Sequence, residues 1–331
     1  MRYLVTGAAG FIGFSVAARL LARGDSVVGI DSINDYYDPE LKRARLRHLS
    51  EQYGERWSFI KVDFSDFAAL SDALASEKFD GIIHLGAQAG VRYSIENPHV
   101  YMQSNIVGHL NMLEIARHRA IPMVYASSSS VYGGNGTYPS RVEDRVDRPI
   151  SLYAATKRSD ELMSETYAHL YRVPLTGLRF FTVYGPWGRP DMAMWLFTDA
   201  ILAGRPIKLF NHGDMYRDFT FVDDIVTGIV ACADNPPPDD GTEKAGGSTT
   251  PHRLYNIGNN RPERLMDMIW LIEEGLSRKA TFEMYDMQPG DVPKSFADID
   301  AIQRDLGYNP TTPISVGVPK FIDWYRAYHG L

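Results

Sequence analysis

A chain of 331 residues, 44% hydrophobic and 23% charged, has enough apolar material for one large or two smaller globular domains, which excludes a disordered protein. Its formal charge of −7 excludes a phosphate-coating surface, so neither nucleic acid nor another long polyanion is an expected partner. A lone cysteine, Cys232, excludes an internal disulfide framework. In chain order, β-rich runs fall at Tyr3–Thr6, Ser26–Ile30, Ser58–Val62, Gly81–Leu85, Met123–Ser127 and Leu175–Phe181. Helical periodicity separates them at Ile12–Arg23, Pro39–Gln52, Phe67–Ser76, Pro98–Arg117 and Leu152–Leu170. This alternation predicts an α/β fold with a doubly wound parallel sheet, whose ligands sit beyond the carboxyl ends of the strands.

Beyond Phe181 the regularity lapses into loops, a helix near Ala193–Ala203 and short strands near Ile207–Phe210 and Phe219–Val222. A smaller C-terminal substrate-binding domain is expected from 182–214 and about 261–331. The cofactor domain then takes 1–181 and about 215–260, re-entered by a helix at Asp224–Ala233 and a strand at Leu254–Ile257. The stretch Asn235–Pro251 reads as a surface loop. The basic run Lys42–His48 (KRARLRH) reads as a solvated helix face, Cys232 as a buried apolar residue and His84 as a core histidine. The chain opens directly on a strand, with no secretory leader and no run of roughly eighteen apolar residues, so a cytoplasmic protein without a membrane partner is expected. No metal site is expected.

The first strand runs into Gly7-Ala8-Ala9-Gly10-Phe11-Ile12-Gly13 and then a helix. Gly7 allows a tight turn, Gly10 a close backbone approach to a pyrophosphate, and Gly13 close packing of helix on strand. The N–H groups at the helix start, around Phe11 and Ile12, favour phosphate. Asp31 ends the second strand, where a carboxylate accepts from an adenosine ribose and repels a 2′-phosphate; the reading is NAD, with Asn34 beside it. Asp63 and Phe64 end the third strand, within reach of adenine, although Asp63 equally suits a helix cap. Leu85, Ala87 and Gln88 end the fourth, where small residues admit a cofactor. The fifth runs into four serines, Ser127 to Ser130, and the next helix carries Tyr153 and Lys157 one turn apart. An ammonium and a nicotinamide cation both favour phenolate, which suits Tyr153 to general-base work, with a serine hydroxyl on the same substrate oxygen.

These motifs, together with Asn105, SSSSVYG, YAATK and RDFTFVDDI at Arg217–Ile225, resemble those of the extended short-chain dehydrogenases, the NAD-dependent epimerase/dehydratase family of nucleotide-sugar enzymes. The resemblance spans nearly the whole chain. It implies Tyr153 as base, Lys157 as its electrostatic partner and ribose ligand, Ser128 as the catalytic hydroxyl with Ser129 and Ser130 close by, and Asn105 as a cofactor-site residue. Related dehydratases carry an Asp-Glu pair where this chain has Ser129 and Ser130, which argues against elimination. LRFFTVYGPWGRPDMA at Leu178–Ala193, NDYYD at Asn34–Asp38, AGVRYS at Ala89–Ser94 and MQPGDVP at Met287–Pro293 resemble the uronate branch, the UDP-glucuronate 4-epimerases. A uronate needs a cation for its carboxylate; Arg189 is the first choice and Arg92 the second, with Thr182 as a hydrogen-bond partner.

Gln288 replaces the arginine that neutral-hexose epimerases tend to have before PGD, leaving Arg217 as the main diphosphate cation, with Asp291 nearby. Lys208 and Phe210 would flank uracil. A UDP-sugar and a retained NAD are therefore the expected ligands, and a homodimer through the helices at Pro98–Arg117 and Leu152–Leu170 the expected assembly. A UDP-glucose/galactose 4-epimerase or a decarboxylating UDP-pentose synthase could use the same base. A dinucleotide-sensing binding protein would need only the glycine turn.

Overall fold

The computed structural model describes residues 1–288 and 291–331. In chain order the first half contains β1 (Arg2–Thr6), α1 (Phe11–Arg23), β2 (Ser26–Asp31), α2 (Pro39–Tyr53), β3 (Trp57–Lys61), α3 (Phe67–Leu74) and β4 (Gly81–His84). Two short turns, α4 (Tyr93–Glu96) and α5 (Pro98–Tyr101), precede a π-helical stretch, Met102–Val107, and α6 (Gly108–Arg119). There follow β5 (Met123–Ser128), α7 (Leu152–Tyr171), β6 (Leu175–Phe180), β7 (Thr182–Tyr184), α8 (Ala193–Leu202), β8 (Ile207–Phe210), β9 (Tyr216–Phe221) and α9 (Val222–Asp234). The chain ends with β10 (His252–Ile257), β11 (Pro262–Arg264), α10 (Leu265–Leu276), β12 (Phe282–Tyr285), β13 (Lys294–Ser295), α11 (Asp300–Leu306) and α12 (Ile314–His329).

Seven strands form one sheet in the order β10-β6-β5-β4-β1-β2-β3, and every neighbouring pair is parallel. This is a Rossmann-like doubly wound sheet, in which the direction of winding reverses where β1 meets β4. Its two faces are buried separately. On one, Phe14, Val16 and Leu20 of α1 pack with Ile225 and Ile229 of α9; on the other lie Leu70 and Leu74 of α3 with Met112 and Leu113 of α6. A third core joins Met194 and Ile201 of α8, Ile207 and Leu209 of β8, Ile269 and Ile272 of α10, and Val318 and Phe321 of α12. The helices α10, α11 and α12 were not among the expected elements, although α10 and α12 present an apolar stripe to this third core.

Three expectations need correction. Pro98–Arg117 is not one regular helix: it widens to π geometry at Met102–Val107, which brings Asn105 into the strand-end loop, where its Oδ1 accepts from Gln88 N at 2.8 Å. The KRARLRH run is not a solvated face throughout, because Lys42 and Arg45 are buried while Arg43 and Arg47 are exposed. Leu41, Arg45 and Leu49 recur at i, i+4, i+8, so Arg45 lies on the buried stripe of α2. Asp63 does not cap α3: Asp66 does, accepting from Ala69 N at 3.0 Å, while Asp63 Oδ1 accepts from Ser65 N at 2.9 Å. Cys232 and His84 are buried as expected; burial pushes the Cys232 thiol up to about 12 and the His84 imidazole down to about 3.

Candidate active site

The carboxyl ends of the parallel strands open onto one cleft of about 1370 Å³, larger than the ~300–1,000 Å³ usual for a single small ligand. Gly7, Gly10, Phe11, Ile12, Gly13, Asp31, Asn34, Asp63, Phe64, Leu85, Ala87 and Gln88 line one arm. Arg92, Thr182, Arg189, Lys208, Phe210, Arg217, Gln288 and Asp291 line the other, and Ser128, Ser129, Ser130, Tyr153 and Lys157 stand between. Asn105 does not line the cleft. Its amide instead donates to Gln88 O at 3.1 Å and Thr156 Oγ1 at 3.0 Å, so it holds the strand-end loop against α7. Pro289 and Gly290 of the Met287–Pro293 stretch lie outside the described residues.

The glycine turn is a cradle that side chains would fill. Gly7 sits at φ +66°, and a Cβ there would lie 2.8 Å from Gly86 N. At Gly13 a Cβ would stand 2.1 Å from Gly7 O, so only glycine lets α1 start this close to the strand end. Gly10 caps α1 with no side-chain acceptor, leaving the first-turn N–H groups directed at the cleft. Asp31 accepts from Ala9 N at 3.2 Å and Ile33 N at 2.8 Å, which fixes its carboxylate at the rim of this cradle. These residues fit a dinucleotide.

Ser151 starts α7 by accepting from Ala154 N at 3.1 Å, which sets the turn carrying Tyr153. Lys157 Nζ is buried and donates to Ala126 O and Asp160 Oδ2, each at 3.0 Å. Of the four serines, Ser127 is committed elsewhere: its hydroxyl donates to Glu161 Oε1 at 2.6 Å. Ser128 Oγ accepts from Ser130 N at 3.1 Å and donates to Ser130 Oγ at 3.0 Å, so its hydroxyl stays at the cleft wall. No acid occupies Ser127–Tyr132.

Asp160 is fully buried, and its Oδ1 has no partner among the described residues. Burial pushes its carboxyl up to about 7 against the pull of Lys157, and neighbouring Glu161 adds to the rise. The folded chain thus binds this proton more tightly than the unfolded chain. Its contribution to stability is complete below the ordinary carboxylate range and is lost as pH climbs through about 7. Asp160→Asn should flatten that dependence, so that urea melts of variant and parent diverge in the variant's favour as pH rises; parallel pH profiles would contradict this.

In the second arm Arg189 grips Asp191 with Nε at 3.0 Å and with Nη2, and Asp191 also accepts from Tyr36 OH at 3.1 Å. Arg217 pairs with Asp291 at 2.7 Å, whereas Arg92 lies over the Phe210 ring, 5.0 Å from its centroid, and Lys208 over Tyr285 at 5.9 Å. Gln288 Oε1 is a buried acceptor without a partner among the described residues. Sequence reasoning missed Tyr36, Lys42 and Asp191 as cleft residues. Lys42 Nζ donates to Asn34 Oδ1 at 2.6 Å, and its signal was its place three residues before Arg45 and seven before Leu49, on the inner side of α2.

The family model described as GDP-mannose 4,6 dehydratase matches residues 4–321. The chain belongs to this family. Protein CapI of Staphylococcus aureus is 49% identical over 99% of both chains. A probable UDP-glucuronate 4-epimerase of Rhizobium meliloti is 47% identical, over 98% of this chain and 97% of its own. The crystal structure of a Bacillus cereus UDP-glucuronic acid 4-epimerase in complex with UDP-glucuronic acid and NAD superposes with a TM-score of 0.86 at 32% identity, covering 99% of this chain and all of that one. As a family member the chain is an extended short-chain dehydrogenase-type protein, and its glycine turn, Tyr153 and Lys157 line the cleft at the carboxyl ends of the parallel strands.

Proposed function

We propose that the protein is an NAD-dependent UDP-glucuronate 4-epimerase, an isomerase that interconverts UDP-glucuronate and UDP-galacturonate through a 4-keto sugar. The observation that carries this reading is the continuity of one cleft from the glycine turn, past Tyr153 and Ser128, to Arg189. Two relatives named for this activity, one of them solved with both ligands, support it.

Tyr153 takes the proton of the C4 hydroxyl and later returns it, and the Lys157 ammonium, fixed by Ala126 O and Asp160, stabilises the intervening phenolate. The Ser128 hydroxyl holds the C4 oxygen, with Ser129 and Ser130 lining the approach. Gly7, Gly10, Phe11, Ile12, Gly13, Asp31, Asn34, Asp63, Phe64, Leu85, Ala87, Gln88 and Lys157 would hold NAD, which when bound would supply a hydride acceptor and donor for C4. Between the two transfers the sugar must turn its other face to the cofactor. Arg217, Gln288 and Asp291 line the diphosphate end, and Lys208 and Phe210 the uracil end. A 4-keto uronate is a β-keto acid that can lose CO₂; Arg189 and Thr182 hold the carboxylate away from the alignment that breaks its bond, with Arg92 as a second cation.

Substrate arm and cofactor arm form the two domains of this reading, the first with the separate core around Ile269 and Phe321. The assembly is a homodimer. Met102, Val107 and Leu110 on the segment from α5 into α6, and Leu162, Leu170 and Tyr171 on α7, are large apolar side chains left exposed, as a helical face covered by a second copy would leave them. No described helix is long and apolar enough to cross a membrane, and the proposed site of action is the cytoplasm.

Because the sugar must receive its hydride back from the same molecule, NAD should copurify with the protein. The deciding experiment is product analysis with UDP-glucuronate and no added cofactor, beside UDP-glucose and UDP-galacturonate. UDP-galacturonate as the product, with bound NAD released on denaturation, is expected. Turnover of UDP-glucose alone, or a UDP-pentose as main product, would overturn the reading.

A further inference from the structure

Arg45 is fully buried, and its four hydrogen-bond partners are all uncharged oxygens: Ala9 O in the glycine turn and Tyr37 OH on one side, Trp187 O and Gly188 O just before Arg189 on the other. Nη1 donates to Ala9 O at 2.9 Å and Tyr37 OH at 2.8 Å; Nη2 donates to Trp187 O at 2.5 Å and Gly188 O at 3.2 Å. Nε has no partner. A buried guanidinium held only by neutral oxygens carries a desolvation cost that an apolar residue would avoid, so what it contributes here is geometry.

Ala9 lies between the cleft-lining Gly7 and Gly10, and Gly188 directly precedes the cleft-lining Arg189, so both sides back onto walls of the cleft. Ala9 O belongs to the peptide whose N–H, that of Gly10, donates to Gly7 O at 2.8 Å, immediately before the first turn of α1. Arg45 and Gly7 thus pin that peptide at both ends. On the opposite wall, Trp187 and Gly188 directly precede Arg189. Trp187 sits at φ 63°, a left-handed conformation that a bulky residue keeps only when its surroundings hold it. A second tie runs parallel to the first, from Tyr36 OH to Asp191, which grips Arg189. The rigid fork of the guanidinium is what lets one side chain reach both walls; an ammonium on a flexible stem cannot hold both at once.

We propose that Arg45 is a positioning residue that couples the dinucleotide turn to the loop carrying Arg189, so that NAD and the uronate bind cooperatively. The inference rests on the UDP-glucuronate reading of that cleft. NAD seated on α1 fixes the Ala9 peptide, Arg45 passes that order to Trp187 and Gly188, and Arg189 meets the sugar carboxylate already placed. By linkage the uronate must then tighten NAD by the same factor.

The test uses Tyr153→Phe protein, purified as holoenzyme, so that bound sugar is not consumed. Equilibrium dialysis reads the NAD dissociation constant with and without saturating UDP-glucuronate, and the ratio of the two is the coupling. With Arg45 intact a ratio of about 5–150 is expected. Adding Arg45→Lys or Arg45→Gln should bring it toward one, and in the active background should raise KM for UDP-glucuronate more than it lowers kcat. A purely structural role would weaken NAD binding equally with and without sugar, leaving the ratio unchanged; that result overturns the proposal, as does a ratio of one in the Arg45-intact protein. Should both Arg45 variants fail to fold, Tyr37→Phe removes one partner of Nη1 from a half-buried position and should lower the ratio, whereas an unchanged ratio overturns the proposal. Wild-type turnover of UDP-glucuronate is scored separately. Its absence defeats the functional reading, while a flat ratio in an active enzyme defeats only the coupling.

Discussion

Tyr153→Phe is expected to lower epimerisation by about 10²–10⁴-fold while leaving the fold and the bound NAD in place. The hydroxyl is the one group on α7 that lines the cleft next to Lys157 and can exchange a proton with the sugar, and its removal leaves the ring packed against Tyr101, 6.0 Å between centroids. The loss should fall on kcat, since Ser128, Arg189 and the diphosphate arm remain to bind the ground state. Mixing the variant with UDP-glucuronate should produce no NADH absorbance. A variant that turns over normally would remove Tyr153 from the role of base and leave Lys157 without a partner to serve.

Glu161→Ala is expected to cost about 3–5 kcal/mol of stability, the largest structural effect near the site. Glu161 and Arg179 are both essentially inaccessible and form a two-point pair, Nε to Oε1 at 2.8 Å and Nη2 to Oε2 at 3.0 Å. Ser127 and Arg158 also donate to this carboxylate, at 2.6 and 2.9 Å. Truncation strands all three donors and leaves a buried guanidinium without its counter-charge. Because the pair ties α7 to β5 and β6, the strand end bearing Ser128 should loosen as well, and turnover should fall along with the denaturation midpoint. A midpoint within about 1 kcal/mol of wild type would show that water or Asp160 replaces the lost partner. Replacing both Glu161 and Arg179 by apolar residues of similar volume should cost much less than either single truncation.

The glycine turn, the acid ending β2, the serine run and the Tyr153–Lys157 spacing were legible because each is a local pattern: a turn, a strand end, one helical repeat. The parallel sheet followed from alternating periodicities, which need no knowledge of partners. Arg45 shows the limit of such reading. Its charge assigns it to the surface and its spacing with Leu41 and Leu49 to the interior, and the conflict is resolved only by oxygens contributed from residues 9, 37, 187 and 188. The resemblance implies Asn105 as a cofactor-site residue, and the π-helical turn directs its amide to Gln88 and Thr156.

By itself the sequence determined the sheet, the glycine turn and the Tyr153–Lys157 spacing that makes Tyr153 the candidate base, since these depend on backbone freedom at a few glycines and on the spacing of side chains along single elements. Only the tertiary structure decided which serine is spent on Glu161, that Arg189 is gripped by Asp191, and that a buried arginine joins the two arms of the cleft. Those outcomes depend on burial and on partners distant in the chain, and a buried polar group takes its role from whatever satisfies its hydrogen bonds.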